Sequence, residues 1–216
     1  MTQKVNPTHQ QHYRLRIRFA KNESLRFLGH RDLIRALERV FRRAGLELAM
    51  SEGFHPRPRM RFSDPLALGQ VGLDEVMDLV VVSMDDPVQL KARLNKHSLQ
   101  GLDFKHIDIL NDDEKKLKAE KFCYEMSIPL EIQEQVALKV DRFLAEESYF
   151  MQRKGRDQTI DIRPLVLDLR LEGCQLKMQL KANQEAGVRP KDILELLDLS
   201  TDSHLGMVLT RTAVQL

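Results

Sequence analysis

The sequence contains no tryptophan, only two cysteines, and an aromatic content of 6% over its 216 residues. Cys123 and Cys174 lie far apart and outside any C-x-x-C spacing, so the usual patterns of zinc and iron–sulfur sites are missing. We therefore expect both cysteines to be reduced thiols. We also expect the chain to bind no metal.

Long apolar stretches are missing too. No stretch reaches the roughly 18 apolar residues that a membrane span needs, and Met1–His12 has no apolar signal-peptide core. The resulting expectation is a cytoplasmic protein without membrane contact. The motifs G-x-x-x-x-G-K, G-x-G-x-x-G and G-x-S-x-G are absent as well, which argues against nucleotide-binding proteins and hydrolases.

The basic residues are concentrated at one end of the chain, although the formal net charge is only +2. Residues 1–70 contain 14 Lys and Arg against 6 Asp and Glu, whereas residues 71–216 contain 20 against 26. This asymmetry predicts a localised surface for an anionic partner.

Two predicted elements in the basic region carry regularly spaced arginines. Apolar residues alternate with arginines from Tyr13 to Phe19, which predicts a strand with a basic face formed by Arg14, Arg16 and Arg18. Asp32–Ala44 has helical apolar spacing, and its opposite side carries Arg31, Arg35, Arg39 and Arg42. Guanidinium groups suit bidentate phosphate contact, although arginines on a merely solvated face remain an alternative.

The loop Ser51–Pro58 follows that helix and is predicted to be stiff. Pro56 and Pro58 fix their own backbone angles and favour extended geometry in the residues before them. A rigid loop that presents aromatic, histidine and arginine side chains is typical of a binding loop. Its exposed residues, together with the basic strand that follows, are Phe54, His55, Arg57, Arg59 and Arg61.

These segments resemble the radical-SAM-linked protein family, a bacterial family of unknown function found alone or fused to a cobalamin-binding radical-SAM protein. The resemblance rests on Phe27-Leu28-x-His30-x-Asp32, Arg39, Arg42-Arg43-Ala44-Gly45, Ser51-x-Gly53-Phe54-x-Pro56-x-Pro58, Pro65-Leu66-x-Leu68-Gly69 and Glu75-x-x-Asp78. Asp161-x-Arg163-Pro164 and Arg189-Pro190 match later landmarks. Gly29 and Gly72 depart from the pattern, where serine is expected.

The resemblance implies a radical-SAM partner. That partner would carry S-adenosylmethionine, an iron–sulfur cluster and cobalamin, while this chain would bind no cofactor itself. The three-cysteine cluster motif of radical-SAM enzymes is missing, so the chain is not expected to be the radical enzyme.

The order of predicted elements is repeated along the chain. Strand, helix, two strands, helix and strand precede the charged run at residues 111–118, and a similar order follows it. We predict an α+β fold of two tandem ferredoxin-like units with antiparallel sheets, the second unit embellished. The expected domains are residues 1–110, with the basic RNA-binding surface, and residues 119–216.

Candidate catalytic residues are His30, Asp32 and His55, which the sequence pattern does not connect into one site. The favoured function is a non-catalytic accessory protein that binds RNA, such as tRNA or rRNA, or presents it for modification by the radical-SAM enzyme. The alternatives are an endoribonuclease or RNA-modifying enzyme that uses His30, and an adaptor that docks on the radical-SAM enzyme. The expected nucleic-acid-binding residues are Arg14, Arg16, Arg18, Arg31, Arg35, Arg39, Arg42, Phe54, Arg57, Arg59 and Arg61. We expect one continuous positive surface, and a pocket in which His30 meets the loop Ser51–Pro58.

Overall fold

The structure, a computed structural model, describes residues 12–111, 113–152, 159–182, 187–199 and 207–216. Its strands are β1 Tyr13–Lys21, β2 Met60–Phe62, β3 Val71–Val81, β4 Leu102–Leu110, β5 Lys121–Ser127, β6 Phe150–Gln152, β7 Thr159–Asp161, β8 Val166–Glu172, β9 Gln175–Lys181 and β10 Thr210–Gln215. Its α-helices are α1 His30–Arg43, α2 Pro87–Lys96, α3 Leu130–Ala145 and α4 Pro190–Leu196. Short 3-10 helices cover Glu23–Phe27 and Arg163–Leu165. The predicted α+β class is confirmed.

The first half forms for the reasons that its periodicity indicates. In β1 the alternating apolar residues are buried, and they pack with the apolar face of α1 in one core. Gly45 adopts a positive φ of 68° directly after the helix, where glycine is favoured. Helix α2 begins at Pro87, and the Asp86 carboxylate accepts hydrogen bonds from the backbone amides of Val88 and Gln89.

One continuous sheet joins the two halves of the chain. Its strand order is β4-β1-β3-β10-β5-β9-β8, with β2 beside β3, and β6 and β7 form a separate hairpin. The prediction of two separate antiparallel sheets is therefore wrong, because β10 pairs with β3 in parallel through Thr210–Val71 and Arg211–Gly72. The other strand pairs are antiparallel. The expected domain division at residues 110–119 stays a prediction.

Each half has its own hydrophobic core, and Arg211 lies between the two. Its guanidinium donates to both carboxylate oxygens of Glu75 and to the Asp64 carbonyl, and it stacks 4.9 Å from the centre of the Phe122 ring. Glu75 belongs to the strand of the first core, whereas Phe122 belongs to the second core. Burial opposes ionisation of Arg211, but the hydrogen bonds and charge of Glu75 outweigh it and raise the pKa of the guanidinium.

The charged segment between the halves includes Asn111, Glu114, Lys116 and Leu117, and we call it the crossing segment. It is packed against the rest of the protein. Leu117 and Ala119 are buried in the second core together with Val76 of β3. Val76 is paired in register with Arg18, so it lies on the face of the sheet opposite α1 and α2, which we call the open face. The segment therefore runs across the open face of the first half on its way to β5.

Replacing Arg211 with methionine should strongly destabilise the fold. Glu75 would then be a buried carboxylate without its cation, and breaking a buried pair in this way costs about 3–5 kcal/mol. Urea unfolding of the Arg211→Met variant measures this loss. Combining it with Glu75→Gln should restore part of the stability, because the double variant no longer buries a carboxylate that has lost its guanidinium partner.

The matched control is Arg93→Met, which removes an arginine from the half-exposed pair with Asp85. It should shift the unfolding midpoint only slightly. If Arg211→Met destabilises no more than this control, the buried pair does not hold the two halves together.

Candidate nucleic-acid interface

The loop Ser51–Pro58 projects from the outer edge of β3. Its two ends are held together by a bridge between Met50 and Pro58 and by a hydrogen bond from the Ser51 amide to the Arg57 carbonyl (2.8 Å). The Ser51 hydroxyl accepts a hydrogen bond of 3.1 Å from the Arg57 amide, which closes the same neck. The sequence-based prediction of a constrained loop agrees with this geometry.

The side chain of Phe54 is fully exposed at the tip of this loop. The exposed ring is therefore not stabilised by packing within the protein. Exposed large apolar groups in a constrained loop are typical of binding sites. Gly53, beside it, has a φ of 125°, a conformation that side-chain-bearing residues rarely adopt. Glycine at this position therefore lets the tip present the ring outward.

A groove of about 1110 Å³ separates the loop from the outer side of α1. Four arginines line it, and Glu38 and Glu47 are its carboxylates. The remaining lining is apolar or backbone, with Pro56 and Pro58 on the loop side. The arginines that the structure brings together here are Arg31, Arg35, Arg42 and Arg57.

These arginines are available to a ligand. Among the described residues, Arg31, Arg42 and Arg57 form no ion pair within 4.0 Å. Arg35 contacts Asp32 at 3.2 Å, but both side chains are more than half exposed, so the pair is weak and easily exchanged. Arg39 is also exposed on α1, yet it is outside the lining of the groove.

His30 contacts Phe62, and its predicted pocket with the loop Ser51–Pro58 stays a prediction. Its ring packs edge-on against Phe62, with the ring centres 5.0 Å apart. Of the described residues, the groove is lined by Arg57 but by none of His30, Asp32, Phe54 or His55. Phe62, which packs against the first core, lies beside His30 at the start of α1.

The environment of His30 favours its neutral form. Burial lowers the pKa of its imidazole below 6.5, and the charge of Lys21 lowers it further. Lys21 is itself buried and donates a hydrogen bond of 2.7 Å to the Leu28 carbonyl. Burial lowers the pKa of Lys21 as well, with Arg211 adding to the effect and Glu75 opposing it.

The arginines of β1 lie on the other side of the sheet and are engaged within the protein. Arg16 donates to both oxygens of Asp78 at 2.8 and 3.0 Å, and Arg18 donates to Asp74 at 2.5 Å. Arg14 donates to the carbonyls of Asn111 and Glu114 in the crossing segment. The prediction of one continuous positive surface is therefore wrong, because β1 buries its apolar face against α1 and turns these three arginines to the open face.

Arg59 and Arg61 also belong to the open face. In β2, Arg61 is paired in register with Asp78, while Met60 and Phe62 pack against the first core. Both arginines are exposed and line a second cleft of about 640 Å³. The predicted nucleic-acid-binding residues are thus divided between a groove on the helix side and a cleft on the open face.

Sequence reasoning missed the buried charged cluster of Lys21, Glu75 and Arg211. The available signal was three carboxylates, Asp74, Glu75 and Asp78, in a largely apolar strand, since buried carboxylates such as Glu75 and Asp78 need cationic partners. Gly72 belongs to the same cluster, because a Cβ there would lie 2.7 Å from the Glu75 side chain. Serine at that position would displace the carboxylate.

The later landmarks of the sequence have structural roles. Asp161 accepts hydrogen bonds from the amides of Tyr149 and Arg163, and the Arg163 guanidinium donates to the carbonyls of Leu144 and Glu146 at the end of α3. Arg189 and Asp192 cap the start of α4. In the part of the chain that the structure describes, no three His, Cys, Asp or Glu residues are grouped to hold a metal.

Residues 14–190 match the model of a bacterial protein family, described as "Uncharacterized protein conserved in bacteria (DUF2344)". The chain belongs to this family. The matched region includes the groove, the loop and the open-face cleft, but it ends before β10 and Arg211. Because the DUF2344 family is uncharacterised, the expected radical-SAM partner stays a prediction.

Other comparisons add no functional information. A search of curated proteins finds no match. An unknown protein from Galdieria sulphuraria, known from a crystal structure, is 9% identical with a TM-score of 0.31, over 95% of this chain and 98% of that one. A similarity at this level supports no inference. No described helix is long and apolar enough to cross a membrane.

The stability of the protein should fall on acidification because of His30. Since the pKa of His30 is lowered in the folded state, its stabilising contribution is present above pH 6.5 and is lost as the pH falls below that value. Urea midpoints measured from pH 8 to pH 5 should decline more steeply for the wild type than for His30→Gln. His55→Gln, which changes an exposed histidine, is the control. Parallel curves for the wild type and His30→Gln would contradict the assignment.

Proposed function

We propose that this protein is a non-catalytic RNA-binding module that presents its RNA to a radical-SAM enzyme. The observation that carries the proposal is the groove between α1 and the loop, where Arg31, Arg42 and Arg57 form no ion pair among the described residues, while the same loop carries the exposed Phe54 ring at its tip. Phosphates would bind Arg31, Arg35, Arg42 and Arg57, and an unstacked base would stack on Phe54. Single-stranded RNA is bound in this way by proteins that combine a basic groove with aromatic side chains.

The accessory role rests on the sequence resemblance and on the limited chemistry of the site. No histidine is among the described residues that line the groove, and its two glutamates lie among arginines. Under this proposal the radical-SAM partner would supply its S-adenosylmethionine, iron–sulfur cluster and cobalamin. Capture of the tagged protein from native lysate, followed by identification of bound protein and RNA, tests the partnership directly. Recovery of RNA without a radical-SAM protein would refute the accessory role but not RNA binding.

An endoribonuclease that uses His30 is the second candidate. The lowered pKa of His30 keeps its imidazole neutral near pH 7, which a general base requires. Against this, the ring packs on Phe62 and lies outside the basic groove. Incubation of labelled RNA with the wild type and with His30→Ala separates the candidates, because cleavage that is lost in the variant would establish the enzyme.

An adaptor that docks on the partner through basic residues is the third candidate. Phosphate contacts release counterions. If the protein is an RNA-binding module, its affinity for RNA must therefore fall steeply as the salt concentration rises. A weak salt dependence together with tight binding to the radical-SAM protein would favour the adaptor.

We further infer that each half is a ferredoxin-like unit. Within the first half the sheet order is β4-β1-β3-β2, and within the second half it is β10-β5-β9-β8. When the four strands of each set are numbered in chain order, leaving out the separate hairpin of β6 and β7, both sets follow the order fourth, first, third, second. Two helices lie on the core side of each set. Expression of residues 12–118 alone as a folded fragment would support independent units, whereas an unfolded fragment would not.

Removing two groove arginines should weaken RNA binding and flatten its salt dependence. For Arg35→Gln/Arg42→Gln we expect the slope of log affinity against log salt to fall in magnitude by about 1.4, since each lost phosphate contact contributes about 0.7 on a single strand. The matched control is Arg39→Gln/Arg43→Gln, which removes the same charge from the same helix outside the groove. Equal losses in both variants would show that the groove is not the site.

Phe54→Ala should weaken RNA binding without changing the melting temperature. Stacking of one base on an aromatic ring contributes about 1–3 kcal/mol, which corresponds to about a 5- to 150-fold change in affinity. The fold should be unaffected, because the Phe54 ring makes no buried contact to lose. Phe54→Tyr keeps a stacking ring and should bind nearly as well as the wild type. Unchanged affinity in Phe54→Ala would rule out stacking at the loop tip.

A further inference from the structure

The cleft on the open face is a second basic site with defined walls. Arg59, directly before β2, and Arg61 of β2 form one wall, and Glu114 and Lys116 of the crossing segment are on the other. Its floor is the part of β3 from Asp78 to Val80. Arg14 also lines the cleft, where it holds the crossing segment in place through two backbone carbonyls.

The charge of this cleft favours an anion. Asp78 is already bound by both donor groups of Arg16, so Glu114 is the lining carboxylate that has no cation at ion-pair distance among the described residues. Across the same described ranges, Arg59, Arg61 and Lys116 form no ion pair either. Three free cations against one free carboxylate leave the cleft positive.

The cleft begins where the groove ends. Arg57 lines the groove, whereas Arg59, two residues further along, lines the cleft. Two residues of extended chain span roughly 7 Å, so the two basic sites meet at the neck of the loop. They nevertheless open on different sides of the sheet, because α1 packs on one face and Arg61 projects from the other.

We propose that one single strand of RNA occupies both sites, passing from the groove around the neck of the loop into the open-face cleft. This inference rests on the proposed function and specifies its substrate. A flexible single strand can turn around a strand edge within a few nucleotides. A duplex cannot, since bending stiffness of the order seen in DNA, with a persistence length of about 50 nm, prevents so sharp a turn. The ligand is therefore a single-stranded segment long enough to reach both sides.

The test compares oligouridine of five and of 15 nucleotides, and a 20-base-pair RNA duplex, on the full-length protein. The variant is Arg59→Gln/Arg61→Gln, whose changed side chains are exposed and leave the core intact. We expect it to weaken binding of the 15-mer at least ten-fold and to leave binding of the 5-mer within two-fold, because the shorter strand fits the groove alone. The wild type should bind the duplex at least ten-fold more weakly than the 15-mer.

Two comparisons separate this inference from the proposed function. If Arg35→Gln/Arg42→Gln weakens the 15-mer but Arg59→Gln/Arg61→Gln does not, the second site is wrong and the groove stands. If neither variant weakens the 15-mer, both proposals are overturned. Equal weakening of the 5-mer and the 15-mer, equal weakening by the control Arg39→Gln/Arg43→Gln, or tight duplex binding would each overturn the path around the loop. Melting temperatures of all variants within about 2 °C of the wild type confirm that folding is intact.

Discussion

The buried ion pair between Arg211 and Glu75 is the constraint on which the arrangement of the sheet depends. β10 and β3 are joined in register at only two positions, so side-chain contacts must fix how the halves align. Arg211 does so by binding the first half through Glu75 and Asp64 while stacking on Phe122 of the second. A buried pair is not stabilising in itself, since desolvation offsets much of its attraction. Once the sheet is formed, however, either partner alone would be costly to bury.

The arginines of the basic region form two groups: those bound within the protein and those that line the groove or the cleft. The arginines of β1 pair with aspartates of β3 or donate hydrogen bonds to the crossing segment. Because these contacts are part of the folded structure, the same side chains are not available to a ligand. The second group is exposed and lines the groove or the cleft: Arg31, Arg35, Arg42, Arg57, Arg59 and Arg61. A count of basic residues therefore overstates the charge available to a ligand. The binding surface that we propose rests on the second group, whose only ion pair among the described residues is the exposed one between Arg35 and Asp32.

Local patterns in the sequence predicted the local structure well. Alternation predicted β1 and helical spacing predicted α1, and both predictions lie within two residues of the observed bounds. Contacts between distant segments could not be predicted from local patterns. Arg211 and Glu75 are 136 positions apart, and no period links them. Likewise, no local pattern links His30 to Phe62, whose ring it contacts.

The central claim is that RNA binds along the edge formed by α1, the loop and β2, and not on the acidic second half. Ultraviolet crosslinking of a 15-nucleotide RNA containing 4-thiouridine, followed by mass spectrometry of the crosslinked peptides, tests it most directly. The account predicts crosslinks at Phe54 and at peptides within residues 31–61, with few or none in residues 121–216. Crosslinks concentrated on α3, β8 or β9, or no crosslink above that of an unrelated protein, would contradict it.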